Sequence, residues 1–464
     1  METEESFRDA ISTVDEKGKR IWIFPKKPGG KFYNKRKIVS YLLLVLLFSG
    51  PYLTINGEPL LLFNILERKF IIFGQIFWPQ DIFLFALGMI VMVVFVSLFT
   101  VVFGRLFCGW ICPQTIFMEM VFRRIEYWIE GDWQQQKKLK KSGWTKEKML
   151  KKGTKHFLFW TISWLIANTF LSYIIGYKEL WEIVFDNPLN HIGGLTAILI
   201  FTTIFYLVFS KMREQVCTVV CPYGRLQGVL LDSKSLTVAY DHVRGEGRAK
   251  FRKNEDRAAA EKGDCIDCHQ CVNVCPTGID IRNGTQLECT NCTACIDVCD
   301  HMMENVGLKK GLIRITSEEG IKNNTRFRLT TRVKAYSFLL LALMGLLAVL
   351  LVTRSDFEAT IIRTRGTLYQ KTDDGRYSNI YDINVVNKTK RKIPVTLKLL
   401  NGKGEIRIIG DPIVLKRQGV SKTKFMVLMD EENITKRKID VTIGIYDGKK
   451  LIQEASTTFI GPAF

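Results

Sequence analysis

The chain has 464 residues, 47% of them hydrophobic and 24% charged, with a formal charge of +20. That length exceeds one ordinary domain, and long apolar blocks alternating with charged ones exclude a single uniform core. The positive charge invites nucleic acid as a partner, but the basic residues follow a membrane topology instead, so no nucleic acid is expected.

A polar segment of mixed charge, residues 1–37, opens the chain. It is too long, and the apolar run after it too extended, for a cleaved signal peptide, so that run reads as an anchor. Five stretches carry no charged residue: 38–55, 82–103, 157–177, 192–210 and 335–353. A bilayer core needs about 20 apolar residues as helix, and in lipid each backbone polar group must be satisfied within its own segment. Five membrane spans are therefore expected, with lipid as an obligatory partner. Residues 59–80 are apolar but split by Glu67, Arg68 and Lys69, and read as an interfacial or hairpin segment, not a sixth span.

Lys26, Lys27, Lys31, Lys35, Arg36 and Lys37 crowd the N-terminal segment, and residues 105–155 and 211–334 are likewise basic. Residues 56–81 hold only Arg68 and Lys69, and 178–191 only Lys178. The positive-inside rule then places the N-terminus, 104–155 and 211–334 in the cytosol and everything after Thr353 outside. Residues 134–155, with Trp144 among the lysines, read either as a helix lying on an anionic leaflet or as a solvated linker. All twelve Cys fall in the assigned cytosolic connections or at their edges, where thiols stay reduced and free for metal.

The most specific motif is Cys265-x2-Cys268-x2-Cys271-x3-Cys275-Pro276, followed by Cys289-x2-Cys292-x2-Cys295-x3-Cys299. Three thiols at two-residue gaps wrap one cubane, and the fourth of each run ligates the other cluster. The spacing thus predicts two [4Fe–4S] clusters with crossed ligands, one on Cys265, Cys268, Cys271 and Cys299, the other on Cys289, Cys292, Cys295 and Cys275. Ile266, Val272, Val274, Ile279, Ile281, Ile296 and Val298 are expected to form their apolar shell. A zinc site pairs C-x2-C knuckles across a longer loop, and three successive gaps would crowd one ion. Asp300 stands where such a run usually has Pro. His269 and His301, beside ligands, read as surface residues. A haem dehydrogenase is disfavoured, because His156 and His191 fall at opposite faces and offer no axial pair.

A second element occurs twice: Arg105-x2-Cys108-x3-Cys112-Pro113 after the second span, and Arg213-x3-Cys217-x3-Cys221-Pro222 after the fourth. An i, i+4 pair shares one helix face, so the two pairs at one membrane depth make a candidate soft-metal or redox site. Such thiolates suit Cu(I), zinc or iron–sulfur; packing residues or a reversible disulfide are the bland alternatives. Arg105 and Arg213 are expected either to offset thiolate charge or to act as positive-inside anchors. Beyond residue 353, short alternating runs at 381–386, 395–400, 406–409, 424–428, 439–445 and 451–459 are separated by turn residues. They predict an antiparallel immunoglobulin-like sandwich without a disulfide, a small barrel being the alternative.

With both C-x3-C-P elements, the doubled cluster run including Cys299-Asp300, the last span and the terminal sandwich, the chain resembles the cytochrome c oxidase accessory protein family of the CcoG/FixG type along nearly its whole length. The fold expected is a multi-domain membrane protein with a five-span α-helical body, a two-cluster ferredoxin-like α+β insert and a C-terminal all-β sandwich. The divisions are a cytosolic segment 1–37, a four-span region 38–234, a cytosolic ferredoxin-type domain 235–334, a fifth span 335–353 and an exported domain 354–464. The resemblance implies a multi-pass protein of a bacterial cytoplasmic membrane that assists assembly of cbb-type oxidase by reducing Cu(II) to Cu(I). Cys108, Cys112, Cys217 and Cys221 would be its copper or redox thiols, and its partners a cytosolic electron donor and oxidase subunits or copper-delivery proteins. The competing readings are a quinol-linked membrane ferredoxin and a non-redox assembly scaffold.

Overall fold

The computed structural model describes residues 13–462 except 16, 18, 56, 66–68, 254, 258, 326–327, 365, 367, 390 and 418. Glu67 and Arg68, two of the charges expected to break the 59–80 segment, lie outside the described residues. The chain forms two compact units, residues 1–347 and 348–464.

Four helices among the described residues are long and apolar enough to cross a membrane: Ile82–Phe103, Lys146–Ile175, Pro188–Met212 and Thr331–Val352. The first of the five expected spans differs. Its helix starts early, at Lys31, and stops at Ser49, where Gly50 and Pro51 follow; proline has no N–H to continue the ladder. Lys31, Lys35, Arg36 and Lys37 therefore occupy its first two turns, which leaves only a short apolar run. It nevertheless runs beside Lys146–Ile175, whose Tyr173 hydroxyl donates to Leu47 O at 2.8 Å.

The segment expected as a hairpin is strand-rich: Leu61–Asn64, Lys69–Ile72 and Gln75–Phe77 form an antiparallel three-stranded sheet with Leu62, Ile71 and Ile76 buried under Trp78. The basic stretch 134–155 is divided. Trp133–Lys141 is a short helix capped by the Asp132 carboxylate, whereas residues from Lys146 onward are the first turns of the long apolar helix.

The two-cluster insert is framed by an antiparallel pair, Thr237–Tyr240 with Ile313–Thr316. Each Cys run leads into a helix, Gln270–Asn273 or Ala294–Asn305. Its core is Val238, Tyr240, Ile266, Ile279, Ile281 and Ile296, closed by Met303, Leu312 and Ile313. Val272 packs against that core, Val274 is buried and Val298 only half so. The N-terminal segment straps this insert: Lys26 N–H donates to Asn273 O at 2.7 Å and its ammonium to Gln270 at 3.0 Å. Farther along, the Asp297 carboxylate accepts the N–H groups of Phe32 and Tyr33 at 3.0 and 2.7 Å. A carboxylate from between two cysteines thus caps the N-terminus of the Lys31–Ser49 helix, where the helix dipole favours negative charge.

The second unit is a sandwich. One sheet orders Glu405–Ile409, Gly419–Met429, Tyr377–Asn387 and Phe357–Arg363, and the other Thr396–Leu399, Lys438–Asp447 and Lys450–Ile460. Tyr381 and Phe425 of the first sheet and Val441, Ile443 and Phe459 of the second are fully buried in one core. Tyr381 also donates to Thr458 O at 3.0 Å across the sheets. Five of the six strands expected from alternation fall within observed strands, and the sixth, 395–400, is trimmed to Thr396–Leu399; Phe357–Arg363 and the short Gln370–Lys371, Ile393–Pro394 and Val414–Leu415 are additional.

Candidate functional site

The two Cys runs curl by the same device. Asp267 and His269 in the first, Asn291 and Thr293 in the second, all have φ between 50° and 66°. Such left-handed conformations are uncommon outside glycine and cluster at functional sites. Here they occur at matching positions, the second and fourth residues after Cys265 and Cys289, and turn three successive thiols to one side. Thr293 and His269 then start the two helices.

Two cavities result. One is lined by Cys265, Cys268, Cys271 and Cys299, with Tyr240, His269 and Arg282 among its walls. The other is lined by Cys275, Cys289, Cys292 and Cys295, with Val238, Thr277 and Thr290. The fourth Cys of each run stands in the other run's cavity, and Cys271 touches both. Burial pushes the thiols of Cys271, Cys289 and Cys299 up to about 12 and also raises Cys275 and Cys295. Thiols so resistant to ionisation give up their protons to a metal, which stabilises the thiolate outright. Four thiols per cavity within an apolar wall fit a [4Fe–4S] cluster in each.

His269 is an exposed residue, as expected, at the rim of the first cavity, and its ring meets Arg282 at 2.9 Å. Arg282 in turn pairs with Asp267 at 2.5 Å and Asp280 at 2.7 Å, a network that sequence reasoning missed. His301 remains exposed, near Asn305. Asp300 lies inside the helix Ala294–Asn305 and accepts the Gly311 N–H at 2.8 Å. Proline there would cost the helix a bond and a clash, whereas after Cys275 the preceding helix has already ended.

The four remaining thiols sit where two helices leave the apolar region. Cys108 is on the short helix Leu106–Trp110 and Cys217 in the π-helical turn Val216–Val220. Cys112 and Cys221 precede Pro113 and Pro222 with ψ of 124° and 113°, because a following proline disfavours the helical region. The regular i, i+4 face expected from sequence is thereby altered: Cys112 N–H bonds Phe107 O and Cys221 N–H bonds Val216 O, each five residues back. The pairs still converge. Burial, then the neighbouring Cys112 and Cys108, push the Cys217 thiol up to about 12. All twelve Cys are free thiols, and among the described residues no three His, Cys, Asp or Glu are disposed to hold one ion.

This thiol group abuts the second cavity. A Cβ on Gly109, between Cys108 and Cys112, would stand 2.3 Å from Thr290 O and 3.1 Å from Asn291 O, between Cys289 and Cys292. Gly104 is similarly close to Asn291 and Thr237, and Val238 N–H donates to the Asn291 side chain at 3.2 Å. The two arginines preceding the pairs differ. Arg105 is buried beside Cys108 and bonds Gln227 Oε1 at 2.8 Å, the oxygen that also accepts from Cys108 Sγ at 3.3 Å. Arg213 turns away, to Glu126 at 3.0 Å and Glu214 at 3.5 Å, under the Trp22 ring. Gln227 carried no motif to mark it; the glycine inside Cys108-x3-Cys112 was the one legible hint of close approach.

Three family models match the chain: a 4Fe-4S dicluster domain over residues 212–318, a 4Fe-4S binding domain over 85–134 and an IG-like fold at the C-terminal of FixG over 347–462. Protein RdxB of Cereibacter sphaeroides is 36% identical over 80% of this chain and 80% of its own. Protein RdxA of the same organism is 33% identical over 79% and 80%. The nitrogen fixation protein FixG of Rhizobium meliloti is 35% identical over 64% of this chain and 57% of its own length.

Proposed function

This chain belongs to the FixG family of membrane iron–sulfur electron-transfer proteins, and from that premise we propose that it reduces Cu(II) to Cu(I) for assembly of a cbb-type oxidase. Cys265, Cys268, Cys271 and Cys299 hold one [4Fe–4S] cluster and Cys275, Cys289, Cys292 and Cys295 the other. Once bound, these groups supply one-electron transfer. Cys108, Cys112, Cys217 and Cys221 receive copper as substrate: one Cu(II) accepts one electron and leaves as Cu(I), the state that soft thiolates prefer. The basic segments face the cytosol, where a donor docks, and the sandwich lies on the far side of the membrane.

The observation that supports this reading is the seating of Gly109, next to Cys108, against Thr290, a residue that lines the second cluster cavity. The test is anaerobic: full-length protein reduced with dithionite and freed of excess reductant is mixed with Cu(II) in the presence of a Cu(I)-specific chromophoric chelator. Stoichiometric Cu(I) is expected from the natural protein. Cys108→Ser with Cys217→Ser should slow its formation at least tenfold while both cluster signals persist in EPR. A reduced natural protein that leaves Cu(II) unchanged, or a double variant that performs as well, overturns the reading.

A further inference from the structure

Arg105 is 3% exposed, yet among the described residues no carboxylate forms an ion pair with it. Burying an unpaired guanidinium is costly. Its Nε donates to Gln227 at 2.8 Å and its Nη1 to Leu287 O, two residues before Cys289. Its Nη2 is buried without a partner, as is Nε2 of Gln227, which is itself wholly buried. A buried donor left unmade costs about 1–3 kcal/mol, so both groups stand ready for an acceptor. Nη2 lies 3.0 Å from where a Cβ on Gly224 would be, over the carbonyl of Cys217. Arg36 repeats the pattern: it is 2% exposed, has no carboxylate partner among the described residues, and donates from Nε to Gly109 O at 2.7 Å.

We propose that Arg105 is the shared countercharge of the edge thiols and the second cluster, a positioning residue that bonds both elements and stabilises an added electron on either side. The proposal rests on the reading that the eight ferredoxin cysteines hold two clusters. Arg105 reaches Leu287 through one nitrogen and Cys108 through Gln227, so it fixes the distance between the stations as well as their charge. The other cavity has its own cation, Arg282, but that one is neutralised by Asp267 and Asp280. Arg105 therefore biases the pair in one direction: a cation raises the potential of the cluster it faces and draws the electron toward the thiols.

The experiment is an anaerobic EPR-monitored redox titration of the full-length, cluster-loaded protein in detergent. Arg105→Gln should lower the reduction equilibrium of one cluster at least tenfold, about 59 mV for one electron, and leave the other within threefold. Gln227→Glu, which places a carboxylate against the intact guanidinium, should move the same signal in the same direction. Arg105→Lys keeps the charge and should stay within threefold of the natural protein. Unmoved potentials in loaded Arg105→Gln and Gln227→Glu, or equal shifts of both clusters, overturn the proposal. Should Arg105→Gln fail to load, Gln227→Glu decides. If the natural protein itself assembles no clusters, the underlying reading fails instead.

Discussion

The two C-x3-C-P elements have the same sequence plan and the same widened turn, yet their arginines serve opposite ends. Arg105 faces thiols and pairs with no carboxylate among the described residues, whereas Arg213 is bound into a buried ionic network. There Glu126 and Glu214 meet Arg213, Glu119 and Glu214 meet Arg123, Glu214 also meets Arg20, and Glu126 and Glu130 meet Lys155. Three π-helical turns, Phe117–Phe122, Val208–Met212 and Val216–Val220, surround this network. Segments of this kind mark places where packing or function overrides regular helix. The difference teaches that a duplicated motif fixes the thiols but not the role of the cation before them: one is left electrically open, the other is consumed in holding the membrane body together.

The comparison breaks most sharply at Glu126. Glu126→Gln removes an acid from beside buried Arg213 and Lys155, and stripping one partner from a buried ion pair costs about 3–5 kcal/mol. Thermal unfolding in detergent should show a large fall in apparent Tm, with the potentials of the surviving clusters unmoved. Arg105→Gln should do the reverse. A smaller effect is expected at Gly109→Ala, whose Cβ would meet Thr290 O at 2.3 Å. Overpacking of this sort costs about 1–3 kcal/mol, and here the backbone itself must separate. Cu(I) formation should slow at least tenfold although both clusters load. Gly224→Ala, just beyond the second element, would meet Cys217 O at 2.5 Å and Arg105 Nη2 at 3.0 Å, and should slow Cu(I) formation less than Gly109→Ala while both clusters load.

Much of this was legible because it was local. The spacing of the ferredoxin Cys sets which thiols wrap which cavity, and alternation marked the strands of the sandwich. What was not legible depended on partners distant in the chain. Nothing near Arg213 announces Glu126, and nothing near Arg105 announces Gln227 or Leu287. The expected i, i+4 thiol face was altered by Pro113 and Pro222, whose effect on the preceding residue turned each Cys to extended backbone. The first span was overestimated at its C-terminal end, because an uncharged run was allowed to continue through Gly50 and Pro51. His269 is exposed, as its sequence context suggested, but its left-handed backbone, a property of the folded Cys loop, also sets it at the cavity rim.

A last distinction concerns how the insert is held to the membrane body. The link at Arg105 is electrostatic and buried, but the link at Asp297 is a helix cap, made by one carboxylate on the N–H groups of Phe32 and Tyr33. Gly30 completes it, since φ of 133° and a Cβ position 2.4 Å from the Asp297 carboxyl carbon leave no space for a side chain. Caps of this kind contribute about 0.5–2 kcal/mol. The two N–H groups use different carboxylate oxygens, so Asp297→Asn keeps one acceptor and loses the other bond together with the charge, while Asp297→Ala should lose the whole cap, about 0.5–2 kcal/mol. Hydrogen exchange at Phe32 and Tyr33 is the direct measurement: protection should fall at one of the two amides in Asn and at both in Ala, with Cu(I) formation unchanged in both. Equal loss of protection in the two variants would mean that the charge, not the hydrogen bonds, holds the insert there, and the contrast with Arg105 would disappear.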